Sequence, residues 1–227
     1  MKLSNKVLIA FFGLLFLYLT AVFAEIRLRG TPNIIDDANS IAETVDIEGI
    51  AYLVLRDMDQ RVNVIGSDHP RVEIRSLSGD LLQRLKYKIS GDTLTLAAFQ
   101  VDDTQTIKIS LFVPKTGLKG ITIDKAMASV SGLEQDSLRI LQRGGRLYLS
   151  NSEIGKIHTD GSAGSYLGIS DTGLDILSAN IEESEVLISS PLTLLEGSMR
   201  NKSFLRVNHV GEIQFRKDES SRLHMYP

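Results

Sequence analysis

The chain has 227 residues, a formal net charge of −3, four histidines, and neither cysteine nor tryptophan. That length holds a leading segment plus one domain. The small negative charge gives no electrostatic case for a nucleic-acid partner. The missing thiols exclude disulfides, thiolate metal sites and cysteine nucleophiles, and an aromatic content of 6% counts against the ring platforms of a sugar-processing enzyme.

Lys2 and Lys6 precede an uncharged run, Val7 to Ala24 (VLIAFFGLLFLYLTAVFA). Two readings fit it. The run reaches the lower end of a spanning helix, and the flanking lysines hold the N-terminus in the cytoplasm. Alternatively it is a signal peptide cut after Ala24, with Val22 and Ala24 as the small residues before the cut. The run is long for a signal core and Phe23 spoils the cleavage pattern, so the expectation is a single-pass inner-membrane anchor through residues 7–24. The rest of the chain then faces the periplasm; under the alternative it is secreted or at the cell surface. Residues 1–29 form this segment and 30–44 a polar linker, in which Ile41 and Ala42 are expected to make one helical turn.

Residues 45–227 are expected to form the β domain. Its first part, 45–117, carries short alternating strands: Ile50 to Leu55, Val62/Val64, Val72/Ile74, and Ile107 to Val113 before Pro114. Leu85/Tyr87/Ile89 and Leu94/Leu96 flank Ser90-Gly91-Asp92, a hairpin signal. This part is expected to supply the first coils or an antiparallel cap.

Residues 118–215 are a ladder of apolar pairs two apart, the period of a strand with one buried face. One set is Ile121/Ile123, Leu138/Ile140, Leu174/Ile176, Leu192/Leu194 and Ile213/Phe215. The second is Ala128/Val130, Leu147/Leu149, Leu167/Ile169, Val186/Ile188 and Leu205/Val207, recurring every 19 or 20 residues. Glycines and serines mark turns between the pairs. A fixed period near twenty, with no helix-length run, predicts an all-β parallel β-solenoid of about five coils in which each pair packs on the pair one period away; an antiparallel sandwich is the alternative. A charge at Leu147, Ile176 or Ile188 is expected to cost several kcal/mol. The charged segment 216–227 closes the chain as a cap or frayed end.

The run VPKTGLKGITI (Val113 to Ile123), the stretch GSAGS (Gly161 to Ser165), the opening strand VDIEGIAYLVLRD (Val45 to Asp57) and the hairpin ISGDTLTL resemble the auto-transporter adhesin head GIN domain family of exported Bacteroidetes proteins. The resemblance covers most of Val45 to Phe215. The family's Ser-Gly pairs are thin here, and the last strand, GEIQFRK, matches only in outline. The resemblance implies a parallel β-helix at the cell envelope and no catalytic residue.

Residue by residue, chemistry is sparse. His69, His158, His209 and His224 lie far apart, without H-x-H or H-E-x-x-H spacing, so no metal site is expected. No cofactor is expected either. The ladder carries acids such as Asp124, Asp136, Glu153, Asp160, Asp171, Asp175, Glu182, Glu183 and Glu185, and two of them across a cleft would make an envelope polysaccharide hydrolase or lyase. No G-x-S-x-G elbow accompanies the serines. The expectation is a non-enzymatic scaffold or adhesin-like module with an envelope protein or glycan as partner; a self-assembling, membrane-tethered solenoid is a further alternative. Its expected partner surface is an outward stripe, Tyr148, Tyr166, Leu187 and Arg206, one residue per coil.

Overall fold

The structure, a computed structural model, describes residues 3–29, 39–97 and 107–226. The helix α1 (Leu3–Arg29) belongs to a first unit, 1–34, and every strand to a second, 35–227. Among the described residues no helix is long and apolar enough to cross a membrane. This overturns the expected single-pass inner-membrane anchor through residues 7–24. The uncharged part of α1, residues 7–24, covers about 27 Å at 1.5 Å per residue, short of a hydrocarbon layer of about 30 Å.

The alternating segments become strands stacked one turn upon the next. After β1 (Ile41–Asp46), β2 (Tyr52–Ser67) makes the first turn, bordered by β3 (Arg71–Ser76), the hairpin of β4 (Lys86–Ser90) and β5 (Thr93–Ala97), and β6 (Ile107–Pro114). β7 (Gly120–Ser131) is the next turn. β8 (Glu134–Arg143) and the front of β9 (Arg146–Ser162) follow, then the rest of β9 with β10 (Tyr166–Gly173). β11 (Ile176–Glu182) and β12 (Glu185–Ile188), β13 (Leu192–Arg200) and β14 (Phe204–Asn208), and β15 (Val210–Lys217) and β16 (Arg222–Tyr226) complete it. From β7 onward every strand pairs in parallel with the strand one turn back. The result is an all-β solenoid of about six turns with an N-terminal helix.

Two ladders of strands enclose the core. The second runs β2–β7–β9–β10–β12–β14–β16 and carries Val62, Ala128, Leu147, Leu167, Val186 and Leu205 in one stacked column, each at most 2% exposed. This is the expected second set of pairs, because nothing interrupts its alternation.

The first ladder runs β2–β7–β8–β9–β11–β13–β15, and here the expected facing needs correction. Leu138, Ile157, Leu177 and Leu195 stack inward. Leu174 and Leu192 are buried as expected, but Ile176 and Leu194 are half-exposed. The chain turns a corner at Asp175 and Thr193, where the Thr193 N–H donates to the Asp175 carbonyl at 2.9 Å. At a corner two successive inward residues stand three apart instead of two, which throws every later residue of that strand onto the other face. A neighbouring column reads Leu53, Ile121, Ile140, Thr159, Ala179, Gly197 and Phe215. It narrows in the middle, so the coil through Ile154 and Ile157 leaves no apolar pair in the sequence. Gly197, at φ +126°, sits where an added Cβ would come within 2.0 Å of the Ala179 carbonyl oxygen.

The serines of the corners point inward. Ser165, Ser184, Ser203 and Ser221, none more than 6% exposed, form a column at one corner. The Ser165 hydroxyl donates to Ser184 Oγ at 3.0 Å, and the Ser184 and Ser203 N–H groups donate to Ser203 Oγ and Ser221 Oγ at 3.3 and 3.2 Å. At another corner the Leu133 and Thr172 N–H groups donate to Ser152 Oγ and Ser190 Oγ. These hydroxyls satisfy N–H groups that the corner takes out of the strand ladder.

At the N-terminal end the ladders pass into antiparallel strands: β3 on β6, β1 on β3, and β4 on β5. Gly91, at φ +61°, makes the hairpin turn expected at Ser90-Gly91-Asp92. Ile47, Ile50, Leu81 and Leu85 close the core below it. Ile41 and Ala42, expected as a helical turn, are strand residues paired with Ser76 and Arg75. The linker residues 30–38 lie outside the described residues.

Candidate binding face

The outer surface of the second ladder is organised in columns by the parallel register. One column reads Asn63, Ser129, Tyr148, Gly168, Leu187, Arg206 and His224. Three of the four expected stripe residues, Tyr148, Leu187 and Arg206, therefore stand in line. Tyr166 does not: it pairs with Arg146 and Glu185 in the next outward column, two residues away, with Phe204 and Arg222 beyond. A shift of two keeps the residue on the outward face.

Tyr166 still meets Tyr148. Their ring centroids lie 5.3 Å apart at an interplanar angle of 47°. Gly168 makes this contact available, since a Cβ there would stand 3.2 Å from Tyr166 and 3.3 Å from Tyr148. The two rings cover the gap in the stripe where Gly168 has no side chain. Burial of its ring pushes the Tyr166 hydroxyl pKa up, helped by Tyr148 and Glu185 and opposed by Arg146.

Arginines surround the rings. The Arg61 guanidinium lies 5.4 Å from the Tyr148 centroid and that of Arg146 5.9 Å from Tyr166. Arg206 lies 5.7 Å from Phe204 and 5.5 Å from Tyr226, while Phe204 packs edge-on against His224 at 5.2 Å. Apart from Arg206 and Phe204, which share β14, these partners come from strands 20 or more residues apart, so residue spacing did not reveal them. Arg61, Arg146, Arg206 and Arg222 are all exposed on this face, with Glu185 as the acid among their column neighbours. Delocalised cations thus stand beside aromatic faces on this surface of a protein of negative net charge.

The first ladder presents a different surface. His158 Nδ1 lies 3.2 Å from Ser178 Oγ, and its Nε2 lies 3.3 Å from Asp160 Oδ2. A serine, an imidazole and a carboxylate in contact invite comparison with a hydrolase triad. Spacing hides the arrangement, because Ser178 stands one turn, twenty residues, from His158. Two of its members are held by further partners. Ser178 also hydrogen-bonds Glu196, which is held below the usual carboxylate range first by its hydrogen bond to Lys156 at 3.1 Å. Asp160 is shared with Arg139 at 3.3 Å. The backbone here, Lys156 to Gly161, lies in the parallel ladder between β8 and β11. Nearby, Glu182 pairs with Arg200 at 2.7 Å. Among the described residues no three His, Asp or Glu side chains group so as to hold a metal ion.

No protein-family profile matches the chain, and no curated protein sequence matches it. Solved structures do. A protein of Bacteroides fragilis described as a "putative adhesin" aligns with a TM-score of 0.59 at 12% identity, over 82% of this chain and 97% of that one. A Parabacteroides distasonis protein described in the same words gives 0.55 at 14% identity, over 84% of this chain and 94% of that one. At such identities the likeness is one of fold. The resemblance read from the sequence is therefore met by adhesin-described Bacteroidetes structures, and its GIN-domain assignment by no family match.

Proposed function

We propose that this protein is a non-enzymatic, exported, adhesin-like module that holds an acidic envelope glycan along the second ladder. The observation that carries the reading is the Tyr148–Tyr166 pair over Gly168, flanked by Arg61, Arg146 and Arg206. Aromatic faces take up the apolar side of a sugar ring, and arginines bind carboxylates in a two-pronged geometry. A flat strand face suits a polymer, whereas catalysis needs converging groups around an enclosed reacting atom. The adhesin descriptions of the two fold relatives support the same class of role. Export follows from reading the leading apolar run as a signal segment, which delivers the solenoid beyond the cytoplasm.

The test is retention of the full chain on immobilised polygalacturonate against neutral dextran at low and high salt. Retention on the acidic polymer alone, weakened by salt and lost in a Tyr148→Ala/Arg206→Ala variant that melts like the parent, is the expected result. Equal retention of parent and variant would remove this face from consideration.

A further inference from the structure

The apolar columns of the core run out to solvent at one end. Ile213 continues the column of Leu138, Ile157, Leu177 and Leu195, whose members are at most 2% exposed, yet it is 39% exposed. Met225 continues the column of Val130, Leu149, Ile169, Ile188 and Val207, also at most 2% exposed, and is 55% exposed itself. Phe215 and Leu223 are only partly buried beside them. The strands that carry these residues are ladder edges: among the described residues β15 pairs with β13 alone and β16 with β14 alone. A groove of about 640 Å³ lined by Pro191, Leu192, His209, Val210, Met225 and Tyr226 opens at the same end. An edge strand with unpaired backbone and an uncovered apolar row is a template for another strand.

The sequence of that edge fits a second copy of itself. When β15 runs antiparallel to its own copy about a two-fold axis at Gln214, Ile213 faces Phe215 and Glu212 faces Arg216. When β16 does the same about His224, Leu223 faces Met225 and Arg222 faces Tyr226. In both strands inward apolar residues meet inward apolar residues. The outward pairs are a carboxylate with a guanidinium and a guanidinium with an aromatic ring, each favourable across strands. The two midpoints nearly match in chain distance from the turn that joins them: Gln214 stands four residues before Asp218–Ser221 and His224 three residues after it. The opposite end of the solenoid cannot substitute. There the core is closed by Ile47, Ile50, Leu81 and Leu85, and the outermost strands β1 and β4 are antiparallel, with Lys86 and Lys88 on the β4 edge.

We propose that two copies of this chain join C-terminal end to C-terminal end through β15 and β16, forming one continuous solenoid with two-fold symmetry. Such an isologous contact closes on itself and makes a dimer, not a fibre. The binding faces of the two copies then belong to one ladder of double length. The proposal stands on the end coil alone and does not depend on what the face binds.

The natural absence of cysteine provides the test. In the full chain carrying Gln214→Cys, the two thiols sit opposite each other at a Cα separation of about 4.5–5.5 Å, within the range a disulfide spans. Ser198→Cys, one turn inward in the neighbouring outward column, where it pairs with Arg216, leaves its two thiols more than three strand spacings of ~4.8 Å apart and serves as control. Under mild oxidation Gln214→Cys is expected to give at least tenfold more reducible dimer than Ser198→Cys on a denaturing gel. Adding Met225→Lys to Gln214→Cys, at a position already exposed, is expected to suppress that dimer with an unchanged circular dichroism spectrum. Equal dimer from the two cysteine variants, or none from Gln214→Cys, overturns the proposal, and that comparison decides by itself.

Discussion

Leu177 and Ile176 are neighbours in the chain, yet Leu177 is fully buried and Ile176 half-exposed. Leu177→Asp places an unpaired carboxylate in a dry column and is expected to cost about 4 kcal/mol or more; Ile176→Asp on the outer surface should cost under about 1 kcal/mol. Urea denaturation of both variants measures the difference, and equal losses would show the facing of β11 to be wrong. The serine column makes a second prediction at this scale. Ser203 Oγ accepts the Ser184 N–H and donates to the Arg200 carbonyl at 2.6 Å. Ser203→Ala leaves that N–H buried without a partner, at an expected cost of about 1–3 kcal/mol. In a Ser184→Ala/Ser203→Ala double variant the losses should fall short of the sum, because the two hydroxyls serve one network.

At the scale of elements, the turn joining β15 to β16 is organised by one carboxylate. Asp218 accepts from the Ser221 N–H at 2.9 Å, the Asn201 N–H at 2.8 Å and the Ser220 hydroxyl at 3.0 Å. Hydrogen bonding from the Ser221 hydroxyl first, then from the Asn201 N–H, lowers its pKa from 3.8 to about 2. A carboxyl more acidic in the folded chain than in the unfolded one stabilises the fold fully above the unfolded value, and the contribution disappears as pH falls through the folded value. Asp218→Ala is therefore expected to lower the melting temperature at pH 7, with the gap to the parent shrinking between pH 4 and pH 2. A gap that stays constant over that range would mean that the carboxylate does not hold the turn. The same segment borders the end coil, so a loosened turn is also expected to weaken cross-linking through Gln214→Cys.

For the whole molecule, the solenoid sets both what the surface offers and where the chain must travel. Stacked turns bring residues that are 18 to 20 apart in sequence into contact at about 4.8 Å per strand, so a single column can mix Tyr148, Gly168, Leu187 and Arg206 into one surface. Under the proposed function the chain leaves the cytoplasm to meet an envelope glycan. The mature protein is accordingly expected to begin at Glu25, and N-terminal sequencing of material recovered outside the cytoplasm checks this. Recovery of the intact leading segment there would count against signal cleavage.

The sequence by itself determined the all-β class, the period of the coils and the whole second column, because Ala128 to Val207 alternates without interruption and period two admits only one buried face. It also located the hairpin at Gly91, where local turn chemistry suffices. Only the tertiary structure decided the first column. Thr159, Ala179 and Gly197 fill positions that the narrowing core requires to be small, and corners at Asp175 and Thr193 shift the phase in a way composition does not record. The same holds for the surface. Tyr166 reaches Tyr148 only because Gly168 leaves a gap one turn above, and Ser178 reaches His158 only through stacking. Contacts between turns depend on the register of one coil on the next, and that register is set by the packed interior rather than by any local run of residues.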